Sequence, residues 1–363
     1  FVAASAGNLF IFSKYSYLVE DALLQLDSWE KWWAQPFGTV SAQPIAFQIA
    51  VRPERIAERC KGEMEPIWEA IPDWFSSQIE WLSVRWEDNQ WKTTIQTRKN
   101  IQPNFNQSGN TDAIGAILPD NTALFLWAGF ENRIDLNDLA PGSRTTTDYK
   151  NFVEPWIGSE AAFVLIDPYS PDMLEDQFLV FACLNEALAQ SSLKNYGDQT
   201  GLVKKYNYQT YEVRQFLSQS LIAPLLSKSR PSFTNPVCVV LNGYVVFAAS
   251  SSAMELWSDK YIVSPTLGNR PDYLLHKQKL PGKGNLQLYL NAAYLPQLVK
   301  QIFKPFFFEN NAADIHLLQR SGIVGLAMQS DRHAGIQGVF ANQALSSPVQ
   351  DASILWKTTL SAP

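Results

Sequence analysis

Residues 237–249 read Val-Cys-Val-Val-Leu-Asn-Gly-Tyr-Val-Val-Phe-Ala-Ala. Two apolar runs rich in β-branched residues flank Asn242-Gly243, and an Asn-Gly pair between such runs is the strongest short sequence signal for a β-hairpin. The stretch therefore predicts two antiparallel strands, Val237–Leu241 and Tyr244–Ala249. A helix predicted over Ser252–Tyr261 follows directly.

The same order of elements occurs near the N-terminus, where a hairpin is followed by a helix, a strand and a second hairpin. These predicted elements are Phe1–Ala4 with Gly7–Ser13, Tyr17–Trp33, Ile45–Val51, and Glu80–Glu87 with Trp91–Thr97. After the 237–249 hairpin and its helix come Leu286–Asn291, and Ile323–Met328 with Ala334–Phe340. A recurrence of this kind predicts an internal duplication. The alternative is that such alternation arises by chance in an α+β chain.

The predicted fold class is α+β, internally duplicated, with mostly antiparallel sheets and helices packed on one face. Residues 1–108 are expected to hold a partial first repeat and residues 109–345 a complete second repeat. A polar linker, Asn100–Asn110, lies near the boundary. Residues 346–363 are expected to be a tail or the start of a following domain. Phe1 opens inside an apolar segment, which predicts that the protein extends upstream.

Within the second repeat, three further segments receive predictions. Met173–Ala189 is predicted to be a helix, with Phe178, Phe181, Leu184 and Leu188 along one face. Tyr206–Val213 is predicted to be a strand, and Gln215–Leu226 a helix that bends at Pro224.

Composition and charge exclude some partners. Of 363 residues, 18% are charged, the net charge is −6, and no run of Lys or Arg occurs. Nucleic-acid binding needs a basic stripe to replace the counterions of the phosphates, so no nucleic-acid partner is expected. No apolar run reaches the ~18–20 residues that span a bilayer, so any membrane anchor is expected upstream of Phe1.

The sequence offers no catalytic, cofactor-binding or metal-binding motif. The three histidines (His276, His316 and His333) do not occur at metal-ligand spacing, and the three cysteines (Cys60, Cys183 and Cys238) form no C-x-x-C pair. Free buried thiols are expected. The acidic residues Asp172, Glu175 and Asp176 are expected in the first turn of the predicted 173–189 helix, where negative charge favours the helix dipole. No catalytic residue, cofactor or metal is therefore assigned.

Aromatic residues supply the binding hypothesis. The chain has 12 Trp, 13 Tyr and 21 Phe, a content typical of large cores but also of surfaces that stack on flat ligands. Trp29, Trp32 and Trp33 form the most distinctive cluster. Trp29 and Trp33 continue the helical stripe and are expected to pack inward, whereas Trp32 points elsewhere.

The segment Leu118-Pro119-x-Asn-Thr122, the Asn242-Gly243 hairpin with its helix, and the strand at Leu286–Leu290 resemble a bacterial envelope family of unknown function. That family is built from duplicated α+β units, and residues 352–360 resemble the first strand of a quinoprotein-like β-propeller blade. The resemblance implies a periplasmic or cell-surface protein.

Two functions follow as hypotheses. The first is a non-enzymatic binding or scaffolding module of the envelope, with an unknown protein or glycan ligand. The alternative is a carbohydrate-binding or carbohydrate-active protein that uses tryptophan and acidic residues. A third possibility is a structural platform for a C-terminal propeller.

Overall fold

The structure is a computed structural model that describes residues 2–6, 9–13, 47–52, 54, 57–58, 62–64, 79–87, 90–97, 111–130, 134, 146–167, 176–223, 233–279, 286–319, 323–331 and 335–342. Its strands are β1 (Val2–Ala6), β2 (Leu9–Ser13), β3 (Phe47–Val51), β4 (Ile79–Glu87), β5 (Gln90–Thr97), β6 (Thr122–Gly129), β7 (Ile157–Ile166), β8 (Gln177–Cys183), β9 (Val203–Tyr208), β10 (Tyr211–Phe216), β11 (Val237–Leu241), β12 (Tyr244–Ala248), β13 (Leu286–Asn291), β14 (Ile323–Asp331) and β15 (Gly335–Asn342). Its helices are α1 (Asp112–Gly115), α2 (Thr147–Phe152), α3 (Glu186–Thr200), α4 (Ser251–Val263), α5 (Pro271–Lys279), α6 (Leu295–Ile302) and α7 (Pro305–Gln319).

The strands form one large sheet and one separate hairpin. The large sheet has the order β3-β4-β5-β15-β14-β13-β6-β7-β8-β12-β11-β10-β9, and among the described strands β1 pairs with β2 alone. Every pairing is antiparallel. The predicted α+β class and its mostly antiparallel pairing are therefore confirmed.

The hairpin that opened the sequence analysis forms as predicted. Leu241 pairs with Tyr244 across the two-residue turn, in which Asn242 and Gly243 have φ of 46° and 83°. Two successive positive φ values suit the right-handed twist of a two-residue hairpin, and Asn-Gly adopts them at little cost. The helix predicted after the hairpin is α4.

Helices cover both faces of the sheet, which contradicts the prediction that they pack on one face. Ala253, Met254 and Trp257 of α4 pack in one buried cluster with Val180 of β8. The neighbouring β8 residue, Phe181, lies instead in a cluster with Ala189, Leu193 and Tyr196 of α3. Successive residues of a strand point to opposite faces, so α4 and α3 lie on opposite sides of β8.

The helix predicted over Met173–Ala189 is wrong. Residues 177–183 form the central strand β8, and α3 starts only at Glu186. Gln177–Phe181 is buried throughout, and a short apolar run buried on both faces has no period that separates strand from helix. Asp176 therefore directly precedes β8 and does not lie in the first turn of α3.

Two neighbouring predictions also need correction. The single strand predicted over Tyr206–Val213 is a hairpin, β9–β10, that turns at Gln209-Thr210. The helix predicted over Gln215–Leu226 is wrong, since Gln215 and Phe216 end β10 and residues 217–223 form turns. His276, one of the three histidines, lies within α5.

Strands β3–β5 and their sequence counterparts β13–β15 lie side by side in the sheet, in opposite order. The meander β3-β4-β5 adjoins β15-β14-β13, with β5 paired to β15. The N-terminal strands thus continue the sheet of the second set. The predicted helix at Tyr17–Trp33, the linker at 100–110 and the tail at 346–363 lie outside the described residues.

The registers also bear on the predicted duplication. Suppose that Phe47 in the first repeat corresponds to Leu286 in the second. Phe47 pairs with Trp86 and Leu286 pairs with Met328, so Trp86 corresponds to Met328. Trp86 pairs in turn with Trp91 and Met328 with Gly338, so Trp91 corresponds to Gly338. The next matched pair, Lys92 and Val339, lies directly opposite in the sheet. This register is what two repeats related by a two-fold axis require; the duplication itself stays a prediction.

Candidate functional site

An open cleft of about 620 Å³ lies beside the β9–β10 turn. Its first wall is the turn itself, Gln209–Tyr211, and its second is the C-terminal end of α4 at Tyr261 and Ile262. The segment 264–269 and Ala116 complete the lining. The volume falls within the ~300–1,000 Å³ usual for small-molecule sites.

The turn wall is tied to helix α4 by one carboxylate. The Tyr208 hydroxyl donates to both Asp259 oxygens, each at 2.9 Å, and Gln209 Nε2 donates to Asp259 Oδ1 at 3.3 Å. The hydrogen bond to Asp259 is the main cause that raises the pKa of Tyr208. Gln209 has a φ of 54°, a conformation uncommon for a residue with a side chain. Asp259 therefore holds the tip of the hairpin against α4.

Two tyrosines form the aromatic part of the cleft. The rings of Tyr211 and Tyr261 meet edge to face, with centroids 6.5 Å apart and planes at 62°. Asn242 Nδ2 donates to the Tyr261 hydroxyl at 2.7 Å. Burial raises the pKa of Tyr261, so this hydroxyl is neutral at physiological pH. Asn242, in the turn of the β11–β12 hairpin, thus holds the Tyr261 side chain in position.

The segment 264–269 is positioned by the Leu118-Pro119 motif. Thr266 forms an isolated bridge with Pro119, and the Leu267 amide donates to the Leu118 carbonyl at 2.8 Å. A Cβ on Gly268 would lie 2.9 Å from the carbonyl carbon of Gly115. The absence of a side chain at Gly268 therefore permits the backbone contact between this segment and α1.

Two polar side chains of the cleft are already held in place by a hydrogen bond to each other. Asn269 Nδ2 donates to Thr266 Oγ1 at 3.1 Å, which fixes one amide and one hydroxyl together. By contrast, the hydroxyls of Thr210, Tyr211 and Ser264 donate to no other residue within the described part of the chain. These three hydroxyls are available to a ligand.

The lining carries no ionisable acid or base other than the two tyrosines. Amides come from Gln209 and Asn269, hydroxyls from Thr210, Ser264 and Thr266, and apolar surface from Ile262 and Pro265. Apart from the two tyrosines, the described lining residues include none of the His, Asp, Glu, Lys or Cys side chains that commonly act as general acids or bases. The cleft is equipped to hydrogen-bond and to stack, that is, to bind.

Outside the cleft, a half-buried carboxylate joins two aromatic residues of the core. Glu160 Oε2 accepts from Trp127 Nε1 at 3.2 Å and from the Tyr244 hydroxyl at 3.0 Å. Trp127 and Tyr244 are only 1% and 4% exposed. Because both rings are buried, this arrangement anchors β6, β7 and β12 to one another and presents no surface to a ligand.

The sequence-predicted binding residues Trp29, Trp32 and Trp33 lie outside the described residues. Of the described tryptophans, Trp127, Trp156 and Trp257 are at most 1% exposed, so they fill the core. The tyrosine cleft was missed because the predicted Tyr206–Val213 strand ran through its turn. The polar pair Gln209-Thr210 between tyrosines was the available signal for that turn.

The described residues hold no group of three or more His, Cys, Asp or Glu side chains that could bind a metal ion. Cys183 and Cys238 are free thiols, and burial raises the pKa of Cys238 to about 12. Cys238 is fully buried, as expected for a structural thiol, whereas Cys183 is half-buried and Cys60 lies outside the described residues. Within the same part of the chain, no helix combines the length and apolarity that a bilayer crossing demands.

A family model described as "Protein of unknown function (DUF3352)" matches residues 136–331, more than half of the chain. Among proteins with curated descriptions, none matches this chain significantly. The solved protein TP0453, in its crystal form III, is 9% identical over 69% of this chain and 82% of its own, with a TM-score of 0.34. A TM-score this low supports no inference about function.

Proposed function

The chain belongs to the DUF3352 family of unknown function, and we propose that it is a non-enzymatic binding module of the bacterial cell envelope whose ligand occupies the cleft. The observation that carries this proposal is the cleft itself. Its walls are braced by Asp259 and Asn242, and its lining offers hydrogen-bonding groups without an acid–base pair.

Bracing favours binding because it lowers the entropy that a ligand must remove. A turn or ring that is already held in one conformation loses little freedom when a ligand arrives. The hydrogen bond from Tyr208 to Asp259 acts in this way on the turn, and the one from Asn242 acts on the Tyr261 ring. Scaffolding of a larger partner would use the same walls, since Ile262 and Val263 beside the cleft are 46% and 83% exposed.

The place in the envelope rests on the resemblance of the Leu118-Pro119-x-Asn-Thr122 segment and the two hairpins to an envelope family. It is tested by labelling intact source cells with a membrane-impermeant amine reagent. Lysines 204 and 205 are exposed and suit this reagent. Labelling in intact cells is expected, whereas labelling only after lysis would contradict the envelope location.

The binding role is tested with a cleft-filling variant, Thr210→Trp. Thr210 is exposed at the turn, so the indole should occupy the cleft without disturbing the core. The matched control is Thr147→Trp, at an exposed position in the first turn of α2. Binding of any member of a defined panel of oligosaccharides and short peptides, lost in Thr210→Trp and kept in Thr147→Trp, would support the role.

The non-enzymatic part is tested on the same panel. We expect every panel member to be recovered unchanged after prolonged incubation with the wild-type protein. Turnover of one member by the wild type, abolished by Thr210→Trp or by another single substitution, would refute it.

A further inference from the structure

The chemistry of the lining identifies the class of ligand. We infer that the cleft binds an uncharged saccharide, an inference that rests on the proposed binding function. A saccharide presents hydroxyl groups around its rim and an apolar C–H face, so its site needs short polar side chains beside an aromatic or aliphatic surface. The amides and hydroxyls of the cleft supply the polar groups. The aromatic and aliphatic surface comes from Tyr211, Tyr261, Ile262 and Pro265.

The absence of charge in the described lining argues against ionic ligands. A phosphate or carboxylate is normally held by Arg or Lys through charge-assisted hydrogen bonds, and no lining residue is basic. A cationic ligand would need a free carboxylate or an open aromatic cage. Asp259, the carboxylate that is bonded to the turn, already accepts hydrogen bonds from Tyr208 and Gln209.

The available hydroxyls match what a sugar ring offers. Thr210, Tyr211 and Ser264 each carry a hydroxyl that can both donate and accept, as every sugar hydroxyl does. Thr210 and Tyr211 lie on the β9–β10 turn and Ser264 follows the end of α4, and all three line the cleft, so one ring in the cleft could bond to both segments. Tyr261, held by Asn242, contributes a ring in a fixed orientation.

The cleft is open to solvent at the surface of the chain, and its 620 Å³ fits a short oligosaccharide segment within the ~300–1,000 Å³ range of small-ligand sites. A neutral peptide is the competing ligand, because it too offers uncharged donors and acceptors. One recurring mode of peptide binding adds a strand to a sheet edge. The lining is made of side chains of a turn and a helix end, which favours the saccharide.

The test is calorimetric titration of the full chain with a panel of defined probes. The panel holds neutral cello-, chito-, malto- and xylo-oligosaccharides, acidic uronic-acid oligosaccharides, and tripeptides with blocked, uncharged termini, such as acetyl-Ala-Ala-Ala-amide. For at least one neutral oligosaccharide we expect binding to the wild type and to Thr147→Trp. Thr210→Trp should weaken it by about tenfold or more, and Ser264→Ala should weaken it less.

The outcomes separate this inference from the binding function on which it rests. Binding of only the acidic sugars or only the peptides, lost in Thr210→Trp, would overturn the neutral saccharide and leave the binding module standing. If no panel member binds, or if Thr210→Trp leaves all binding unchanged, both fail. A melting curve of each variant like that of the wild type shows that a loss of binding comes from the cleft.

Discussion

At the scale of single residues, Gly268 decides how the 264–269 wall of the cleft is placed. A Cβ there would lie 2.9 Å from the carbonyl carbon and oxygen of Gly115, backbone atoms that cannot rotate away. We expect Gly268→Ala to lower the free energy of unfolding by about 1–3 kcal/mol, as overpacking does. Urea unfolding measures the change.

A second glycine provides the control for Gly268. Gly201 ends α3 with a φ of 66°, and a Cβ there would meet no heavy atom within 4 Å. Asn tolerates the left-handed conformation, so Gly201→Asn is expected to cost less than about 1 kcal/mol. If the two variants were equally stable, the close approach of Gly268 to Gly115 would not limit the side chain that position 268 accepts.

The buried thiol of Cys238 sets a dependence on pH. Burial raises its pKa from 9.0 to about 12. Above pH 9 the unfolded chain releases this proton while the folded chain keeps it, so the unfolded state binds fewer protons and the stability falls as the pH rises from 9 to 12. Below pH 9 this thiol has no effect on the pH dependence. Cys238→Ala should flatten the decline between pH 9 and 11 in urea unfolding.

The raised pKa values of Cys183 and Cys238 predict that both thiols react slowly. The pKa of Cys183 is raised to about 11 and that of Cys238 to about 12, so very little thiolate exists at pH 8 and reaction with a thiol reagent should be slow. In a Cys60→Ser background, we expect almost no reaction of the folded protein with Ellman's reagent and two thiols after unfolding in urea. Fast reaction of two thiols in the folded protein would contradict the burial of Cys238 and the raised pKa of Cys183.

At the scale of elements, the hairpin β9–β10 depends on Asp259 of α4. Asp259→Asn weakens the hydrogen bonds from Tyr208 and Gln209. Because the site is partly exposed, we expect the free energy of unfolding to fall by only about 1 kcal/mol. Amide hydrogen exchange at residues 208–211 should speed up, while exchange in β12 stays slow. Asp198→Asn, at an exposed position on α3, is the control and should change neither.

The elements also show how far sequence reasoning reaches. The hairpins at Asn242-Gly243 and at Glu80–Thr97 were predicted because turn chemistry and alternation are local signals. Strand β8 was predicted as a helix because Gln177–Phe181 is buried on both faces and so carries no period. The cleft could not be predicted, since Gln209, Tyr261 and Ala116 meet only through tertiary contacts.

At the scale of the whole molecule, the predicted duplication makes a claim about strand register. It requires that Phe47, Trp86 and Trp91 superpose on Leu286, Met328 and Gly338 by a two-fold rotation about an axis between Lys92 and Val339. An experimental structure measures this directly. A superposition that matches strand order and chain direction is expected, and a shift of register or an opposite direction would remove the duplication.

The sheet also limits how the molecule can be divided. Strand β5 pairs with β15 from Ile95–Ile336 to Trp91–Phe340, so the predicted boundary near residue 108 separates segments of sequence that share one sheet. We expect the N-terminal strands and the second unit to unfold in one transition. Two separate transitions in urea, followed by fluorescence and by circular dichroism, would contradict this.

The central claim is that the cleft between the β9–β10 turn and the end of α4 is the ligand site. The most direct measurement is amide hydrogen exchange with and without the neutral oligosaccharide that binds best. Slower exchange at residues 209–211 and 261–269, absent in Thr210→Trp, is the predicted result. Slower exchange elsewhere with these residues unchanged would contradict the account.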